Sequence, residues 1–249
     1  MTTRWVTFDL DGTVIASPFD RLVLPLVDAH FAPAVGLGRA RALLAERQRA
    51  LQLTNRVAVF DWDELVRWLA RETAMPWQAD LAEVARAALA GLTPSQRRRY
   101  VYADAEPALH SLAAAGWRLA ALTNGYLRYQ VPLLRGLGLL GLFDAVIGPD
   151  VAGCAKPDPT IFAALPAGSA VAAHVGDLLS QDVHLARQAG VTAVWLNRRR
   201  RAADPSHRSL QRRLDLERQE IPMDLAPEDV RPDAVISRLT EVAALVGAA

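Results

Sequence analysis

Two aspartates at alternate positions close an apolar, β-rich run near the start of the chain. Residues 5–8 are typical of a strand, Asp9 and Asp11 follow it, and Gly12 indicates a turn at the edge of a sheet. Ligands of α/β proteins bind outside the carboxyl ends of the strands, and alternate side chains of an extended chain share one side. Two carboxylates ~4 Å apart repel by roughly 4 kcal/mol at an effective dielectric of ~20. A divalent cation held by oxygen ligands is the expected partner, unless both aspartates only form the turn.

Lys156 is the single lysine among the 28 basic residues of the chain, and all the others are arginines. Arginine ends in a planar fork, whereas lysine ends in a compact ammonium group with three rotatable donors. A site that seats one small positive group between a carboxylate and a phosphate oxygen would exclude the bulkier guanidinium. We therefore expect Lys156 to lie beside the two aspartates, with chance retention of one lysine as the alternative.

Further polar residues follow two later apolar runs that are also typical of buried strands. Thr123 and Asn124 come directly after residues 117–122, and Asp177 follows residues 170–175. Because parallel strands end at the same edge of a sheet, we expect these side chains to converge on the first two aspartates. The alternative for the Thr-Asn pair is that it only forms a turn or caps the next helix.

Four segments, in order along the chain, resemble the four motifs of the haloacid dehalogenase-like (HAD) hydrolase superfamily, whose members are mostly phosphatases and phosphotransferases. They are residues 9–13 (Asp-Leu-Asp-Gly-Thr), 122–125 (Leu-Thr-Asn-Gly), 156–159 (Lys-Pro-Asp-Pro) and 176–182 (Gly-Asp-Leu-Leu-Ser-Gln-Asp). The resemblance implies a Rossmann-like α/β core with a central parallel sheet, an α-helical cap inserted after the first strand, and Mg²⁺ as the cofactor.

The same resemblance implies roles for the acidic residues. Asp9 would be the nucleophile that forms an aspartyl-phosphate, and Asp11 would be the general acid and base. Mg²⁺ would be held by Asp9, the backbone carbonyl of Asp11 and Asp177, and would offset the repulsion among them. Asp182 would position Asp177 or a metal-bound water rather than ligate the ion directly. The alternative is that it only caps the following helix, and the two roles are compatible. The dehalogenase branch of the superfamily lacks an aspartate at the position of Asp11, so its presence favours phosphoryl chemistry.

The other motif residues are implied to bind the phosphate or to support the loops. The Thr123 hydroxyl, the Asn124 backbone N–H and the Lys156 ammonium would hold phosphate oxygens, and Lys156 would also pair with the nucleophile. The expected supporting residues besides Asp182 are Gly12, Thr13 and Gly176. For the threonine, the alternative is that it only satisfies the turn after the glycine.

The order of elements along the chain predicts the domain organisation. Alternating strands and helices from residue 100 onward favour a parallel sheet built from βαβ units. The Rossmann-like core that the resemblance implies gives this sheet the strand order 5-4-1-2-3. Helical patterns without strands between them predict a helical module at residues 15–99, which the resemblance implies is the cap domain. We expect residues 1–14 and 100–249 to form the α/β hydrolase core, with residues 198–232 as a charged surface insertion within it.

Composition limits the class of protein. A chain of 249 residues buries roughly 70–75% of its unfolded surface, and 51% hydrophobic with 22% charged residues is ordinary for a globular protein. No apolar run approaches the ~18 residues that span a membrane, and no secretory signal is recognisable. The single cysteine, Cys154, fits a reducing cytoplasm. The expected partner is a small phosphorylated metabolite, with no membrane and a monomer or homodimer as the assembly.

The segment at residues 198–218 carries eight arginines and precedes an acidic stretch. It is interpreted as a solvated charged surface, with an oligomer contact or an anion or nucleic-acid contact as alternatives. Few aromatic residues interleave with the arginines, and acidic residues follow directly, which argues against nucleic acid.

The sequence therefore predicts a Mg²⁺-dependent phosphatase that hydrolyses a small soluble phosphate monoester through an aspartyl-phosphate. Residues 122–125 most resemble the subgroup that contains nucleotidases, followed by phosphoglycolate-phosphatase-like and sugar-phosphate enzymes. One alternative is a phosphomutase that uses the same aspartyl-phosphate. Another, of a different class, is a non-catalytic binding module that uses the Arg-rich segment.

Overall fold

The structure, a computed structural model, describes residues 3–52, 56–198, 206–218 and 223–247. Its centre is a parallel sheet of six strands in the order β3-β2-β1-β4-β5-β6. The strands are β1 Thr3–Phe8, β2 Arg118–Leu122, β3 Ala145–Ile147, β4 Ser169–Gly176, β5 Thr192–Leu196 and β6 Ala234–Ile236. The predicted order 5-4-1-2-3 is confirmed, and β6 extends the sheet beyond β5.

Helices fill the connections between these strands. They are α1 Leu24–Val35, α2 Arg39–Gln52, α3 Trp62–Thr73, α4 Leu81–Ala90, α5 Pro94–Arg97, α6 Ala105–Ala114, α7 Leu127–Gly136, α8 Pro149–Ala152, α9 His184–Gln188, α10 His207–Glu217 and α11 Val242–Val246. Single π-helical turns at Phe19–Val23 and Leu179–Val183 precede α1 and α9. The chain that leaves β1 therefore forms α1 to α5 before α6 leads into β2.

The sheet is covered on both faces, because neighbouring residues of a buried strand point to opposite sides. On one face Val6 of β1 belongs to the same cluster of buried side chains as Leu109 of α6. On the other face Trp5 belongs to a cluster with Leu185 of α9. The result is a three-layer α/β/α arrangement, which leaves the loops at the strand ends as the place where polar residues can gather.

The helices between β1 and β2 bury a separate apolar cluster that includes Phe31, Leu44 and Leu69. The side chain of Asp61 begins α3 by accepting a hydrogen bond from the Glu64 N–H, as expected for an N-cap. Helix α7 shares this cluster through side chains that it and the preceding residue contribute, namely Tyr126, Tyr129 and Leu133. The helical module therefore packs against the sheet part through α7, and the domain boundaries given above stay a prediction.

The chain enters and leaves the helical module through two adjacent segments. Ile15 and Val101 form an antiparallel bridge. The Ala16 N–H donates to the Tyr100 carbonyl at 2.9 Å, and the Tyr102 N–H donates to the Val14 carbonyl at 3.2 Å. The first of these segments, residues 14–16, begins three residues after Asp11, so a displacement of the module would be transmitted close to the two N-terminal aspartates.

The Arg-rich segment is more than a charged surface. Leu210 and Leu214 of α10 are buried in a cluster that also contains Leu179 and Trp195. Arg199, Arg200 and Arg201 lie outside the described residues, as do residues 219–222. None of the helices in the described part of the chain combines the length and the apolar character that a membrane crossing requires.

Helix α10 offers a matched pair of leucines that tests its docking. Leu214 is 1% exposed, whereas Leu216 is 61% exposed. We expect Leu214→Ala to lower the free energy of unfolding by about 2–5 kcal/mol, because it leaves a cavity. Leu216→Ala should change it by no more than about 0.5 kcal/mol. Urea denaturation of both variants measures this, and equal losses would contradict the docking of α10.

Candidate active site

The backbone ladder of the sheet places the first acidic residue. The Asp9 N–H donates to the Val175 carbonyl of β4 at 2.9 Å, so the hydrogen bonding of β1 continues one residue past its end. In the same way the Thr123 N–H, just after β2, donates to the Ile147 carbonyl of β3 at 3.0 Å. Both side chains therefore start from rigid backbone at the carboxyl edge of the sheet.

Lys156 occupies the centre of a buried charge cluster. Its Nζ lies 2.7 Å from Asp9 Oδ1 and 2.7 Å from Asp182 Oδ1, and its side chain is 1% exposed. His174 Nε2 lies 3.2 Å from the same Asp182 oxygen, and His174 Nδ1 lies 2.8 Å from Thr7 Oγ1. Because a carboxylate only accepts, His174 carries a proton on Nε2. One ammonium group therefore bridges two carboxylates.

The cluster sets the protonation of its members. Burial raises the pKa of Asp9, and the nearby Lys156 ammonium opposes this rise without reversing it. Burial opposes ionisation of Asp182 as well, but Lys156 and His174 hold the pKa of Asp182 well below its usual range. Burial alone would lower the pKa of Lys156, yet Asp182 and Asp9 keep that pKa above its ordinary value. Lys156 is therefore a permanent cation at neutral pH.

Three carboxylates come close enough to hold a metal ion. Asp9, Asp177 and Asp182 each offer an oxygen within 4.8 Å of the other two. Both oxygens of Asp182 already accept hydrogen bonds, from Lys156 and His174 and from the Leu178 N–H at 3.0 Å. Asp9 Oδ2 and Asp177 Oδ1 are buried without a hydrogen-bond partner in the described part of the chain. These two oxygens fit a hard divalent cation such as Mg²⁺.

The electrostatics of Asp177 agree with this fit. Burial raises the pKa of Asp177 well above its usual value, and the carboxylates of Asp9 and Asp182 raise it further. A bound cation would remove this penalty, because it compensates the charges that burial and mutual repulsion destabilise.

Two glycines allow the acidic loops to approach each other. Gly12 has a φ of +93°, and a Cβ at this position would lie 2.6 Å from Asp177 Oδ2. A Cβ on Gly176 would overlap the carboxyl group of Asp182. Any side chain at either position would therefore push apart the carboxylates that the sheet brings together, since the first glycine also adopts a conformation that L residues rarely take.

A residue that sequence reasoning missed, Gln130, holds Asp11. Asp11 Oδ2 accepts a hydrogen bond of 2.7 Å from Gln130 Nε2 of α7, and Asp11 Oδ1 is buried without a partner among the described residues. Burial raises the pKa of Asp11 to about 7; the carboxylates of Asp9 and Asp20 add to the rise, and the Gln130 hydrogen bond opposes it. Asp11 can therefore exchange a proton near neutral pH.

Of the two polar residues after β2, Asn124 fixes the backbone of Lys156 and Thr123 forms the following turn. Asn124 Oδ1 accepts a hydrogen bond from the Lys156 N–H at 2.8 Å, and Asn124 Nδ2 donates to the Lys156 carbonyl at 3.2 Å and to Gln181 Oε1 at 2.9 Å. Thr123 Oγ1 accepts the Gly125 N–H at 3.0 Å, which leaves its hydroxyl proton for another acceptor. The sequence predicted that the backbone N–H of Asn124 binds phosphate. The structure adds a second role for its side chain, which fixes the backbone of Lys156.

Thr13 makes no side-chain hydrogen bond to the other predicted site residues; its buried Oγ1 is unpartnered in the described ranges. Its carbonyl accepts a 2.6 Å hydrogen bond from Arg198, which also binds both oxygens of Asp104 at 3.0 Å and stacks on the Tyr102 ring at 3.8 Å. Arg198 therefore braces the turn after the acidic pair. Nothing in the sequence singled out Arg198, because it is the first of four consecutive arginines.

A cavity of about 560 Å³ lies between this site and the helical module. On the sheet side it is lined by Asp9, Asp11, Thr123, Asn124, Gln130 and Gln181. The helical module contributes amide, guanidinium and aromatic side chains from Phe19, Arg41, Gln48, Arg49, Gln52, Phe60 and Trp62, together with the carboxylate of Asp20 and the aliphatic side chains of Leu24, Leu44, Ala45 and Val59. The acidic pair therefore opens on a volume that is typical of small-molecule sites.

The whole fold has counterparts among solved structures. A HAD phosphatase from Thermococcus onnurineus is 26% identical, matches 99% of both chains and superposes with a TM-score of 0.64. A 2-haloacid dehalogenase from Pseudomonas syringae pv. tomato DC3000 is 25% identical, matches 98% of both chains and has a TM-score of 0.60. The architecture is thus a HAD-type α/β core together with its helical insertion.

Sequence comparison gives the same class. The family model described as haloacid dehalogenase-like hydrolase matches residues 3–190, so the chain belongs to this hydrolase family. A phosphoserine phosphatase from Thermus thermophilus is 42% identical over 115 residues, which are 44% of this chain and 46% of that protein. A phosphoglycolate phosphatase from Cereibacter sphaeroides is 40% identical over 79 residues, 31% of this chain and 36% of that protein. The chain thus spans less than half the length of these relatives.

The buried ion cluster makes the stability of the protein depend on its one ammonium group. We expect Lys156→Met to lower the free energy of unfolding by about 3–5 kcal/mol, because it leaves two buried carboxylates without their cation. The pKa values of Asp9 and Asp182 then rise above their unfolded values. The folded state binds more protons than the unfolded state, so the variant loses stability as the pH rises.

Thermal unfolding in chelator, from pH 5 to pH 8, measures this effect. The melting temperature of Lys156→Met should approach that of the unsubstituted protein at the acidic end and fall away from it at the alkaline end. A difference in melting temperature that stays constant from pH 5 to pH 8 would show that Lys156 does not control the ionisation of Asp9 and Asp182.

Proposed function

We propose that the chain is a Mg²⁺-dependent phosphatase that hydrolyses a small phosphate monoester through an aspartyl-phosphate on Asp9. The observation that carries this proposal is the pairing of two carboxylates beside one cavity. Asp9 is aligned by Lys156, and Asp11 has a pKa of about 7. A nucleophile with a charged partner and a proton donor near neutral pH are the two groups that ester hydrolysis requires.

In the first step, an oxygen of Asp9 attacks phosphorus and the bond between phosphorus and the ester oxygen breaks. Asp11 gives its proton to that ester oxygen, so that the alcohol leaves neutral. In the second step, a water molecule attacks the phosphorus of phospho-Asp9 and returns one proton to Asp11. The bond to Asp9 breaks, phosphate leaves, and the net reaction consumes one water.

The other residues stabilise the transferred phosphoryl group and neutralise the carboxylates that would repel it. Lys156 neutralises Asp9 before attack and pairs with a phosphate oxygen afterwards, while Thr123 donates its hydroxyl proton and Asn124 its backbone N–H. Mg²⁺ held by Asp9, Asp177 and the Asp11 carbonyl would supply the positive charge that lets a phosphate dianion approach these carboxylates.

Carbon–halogen cleavage is the rival that the dehalogenase-like solved structure raises. Halide is a weak base and leaves without a proton, so that reaction needs neither a group such as Asp11 nor a metal at Asp177. Asp11 instead carries a raised pKa and opens on the cavity, and two acidic oxygens are arranged for a cation. These features support phosphoryl transfer.

We further propose that residues 15–99 act as the cap that selects the substrate. The cavity wall on this side carries the guanidinium groups of Arg41 and Arg49 next to the amides of Gln48 and Gln52. A phosphorylated metabolite with a polar or anionic remainder suits such a wall. Phosphoserine and phosphoglycolate, the substrates named for two relatives, belong to this class. A phosphomutase would use the same residues and pass the phosphoryl group to a second hydroxyl.

The nucleophile is tested by Asp9→Asn. We expect this variant to lose Mg²⁺-dependent phosphate release from p-nitrophenyl phosphate by more than about 10³-fold while remaining folded at the assay temperature, because Lys156 keeps Asp182 as its partner. Phosphate release from a panel of phosphorylated carboxylic acids, sugars and nucleotides then ranks the substrates. Conversion of a hexose phosphate without phosphate release would identify a mutase. Retained turnover in Asp9→Asn, or chloride release from 2-chloropropionate, would overturn the proposal.

Gln130→Leu tests the proton donor. Asp11 must be protonated in the first step, so kcat/KM should fall as the pH rises through its pKa. The Gln130 hydrogen bond opposes the rise in the pKa of Asp11, so its removal should move the alkaline limb of the profile to higher pH and lower the plateau. Gln78→Leu, at an exposed glutamine, is the control, and an unmoved limb would contradict the role of Asp11.

A further inference from the structure

Helix α10, the helical part of the Arg-rich segment, reaches the loop that carries Asp177. Arg213 Nη2 donates to the Asp177 backbone carbonyl at 3.2 Å and lies 3.9 Å from Asp177 Oδ2. Trp195 Nε1 donates to the same carbonyl at 3.0 Å. The backbone of this acidic residue is thus held from two sides, once from the sheet and once from α10.

Glu217, one turn further along α10, holds the next part of the loop. It is buried, and its carboxylate accepts hydrogen bonds from the Leu179 N–H at 3.1 Å and from the Ser180 N–H at 2.8 Å. The Ser180 hydroxyl adds a third hydrogen bond of 2.6 Å. A buried carboxylate with this many donors is a rigid anchor, because each donor would lose its partner if the loop moved.

The two residues form one unit. Arg213 Nε donates to Glu217 Oε1 at 2.6 Å, so the same guanidinium group joins Glu217 to the Asp177 carbonyl. The planar fork of arginine suits this task, because its nitrogens can serve two acceptors in fixed directions. The Nε of Arg213 thus binds the buried carboxylate of Glu217, while its Nη2 binds the backbone of Asp177.

We propose that Arg213 and Glu217 are positioning residues that orient Asp177 for Mg²⁺ binding. The guanidinium faces Asp177 Oδ2, and Gly12 leaves room for that oxygen on its other side. Asp177 Oδ1 then remains as the buried oxygen without a partner in the described residues, and Asp177 and Asp9 each offer a carboxylate oxygen to the same group of possible metal ligands. The charged insertion thereby acts on the metal site, and this inference rests on the proposed Mg²⁺ dependence.

The chain offers a matched control on the same helix. Arg212 precedes Arg213, is exposed and makes no hydrogen bond or ion pair with the acidic loop among the described residues. Arg212→Gln and Arg213→Gln therefore remove the same charge from the same helix, but only the second breaks the link to Asp177. Arg213→Lys keeps the charge and loses the fork, which separates orientation from electrostatics.

The experiment is a calorimetric titration of chelator-treated, full-length protein with MgCl₂. We expect Arg213→Gln to raise the Mg²⁺ Kd about tenfold, Arg213→Lys to raise it as well, and Arg212→Gln to leave it unchanged. The Mg²⁺ concentration for half-maximal phosphate release should rise in parallel, with kcat near the unsubstituted value at saturating Mg²⁺. Near-ultraviolet circular dichroism establishes that each variant is folded at the temperature of the titration.

A second route avoids the arginine. Ser180→Ala removes one of the hydrogen bonds to Glu217 without adding charge or volume, and it should weaken Mg²⁺ binding in the same direction but less. An unchanged or tighter Kd in Arg213→Gln would overturn the inference, because the guanidinium would then only repel the cation. Absence of Mg²⁺ binding by the unsubstituted protein would instead overturn the proposed metal dependence.

Discussion

The structure depends on the bridge that Lys156 makes between Asp9 and Asp182. Carboxylates gathered at the end of a buried sheet repel one another and lose hydration, and both effects oppose folding. One ammonium group at 2.7 Å from each of two carboxylates offsets part of this penalty. Asp177 lies outside the bridge and carries a raised pKa, so the cluster keeps an excess of negative charge. This excess is the physical reason for the proposed cation, which would also let a phosphoryl group approach the carboxylates.

The surrounding elements serve to keep these charges close. Parallel strands bring the acidic residues to one edge, and Gly12 and Gly176 remove the side chains that would separate them. Asn124 fixes the backbone of the lysine loop through hydrogen bonds in both directions. Each of these contacts is a short-range constraint, so a displacement of a few tenths of an ångström at one element changes the electrostatic balance of the whole cluster.

The proposed function assigns chemistry and substrate selection to different parts of the fold. The groups assigned to phosphoryl transfer stand on the sheet, whereas the far wall of the cavity comes from the helical module. Helix α7 joins the two, because Gln130 contacts Asp11 while Tyr129 packs into the apolar cluster of the module. A motion of the module would therefore be transmitted to Asp11, the proposed proton donor, as expected for an enzyme whose site closes over its substrate.

The sequence alone determined the succession of strands and helices, the four motif segments and the acidic residues with Lys156, because these depend on local patterns: a strand, a glycine turn and a carboxylate at its end. The order of the first five strands in the sheet followed from the family resemblance that those motifs carry. Tertiary structure alone decided which partners hold those residues. Gln130 meets Asp11 across 119 residues of chain, and Arg213 meets Asp177 across 36. Such contacts depend on how α7 and α10 rotate and dock, which follows from the packing of their apolar faces against distant elements and leaves no periodic signal in the polar residues themselves.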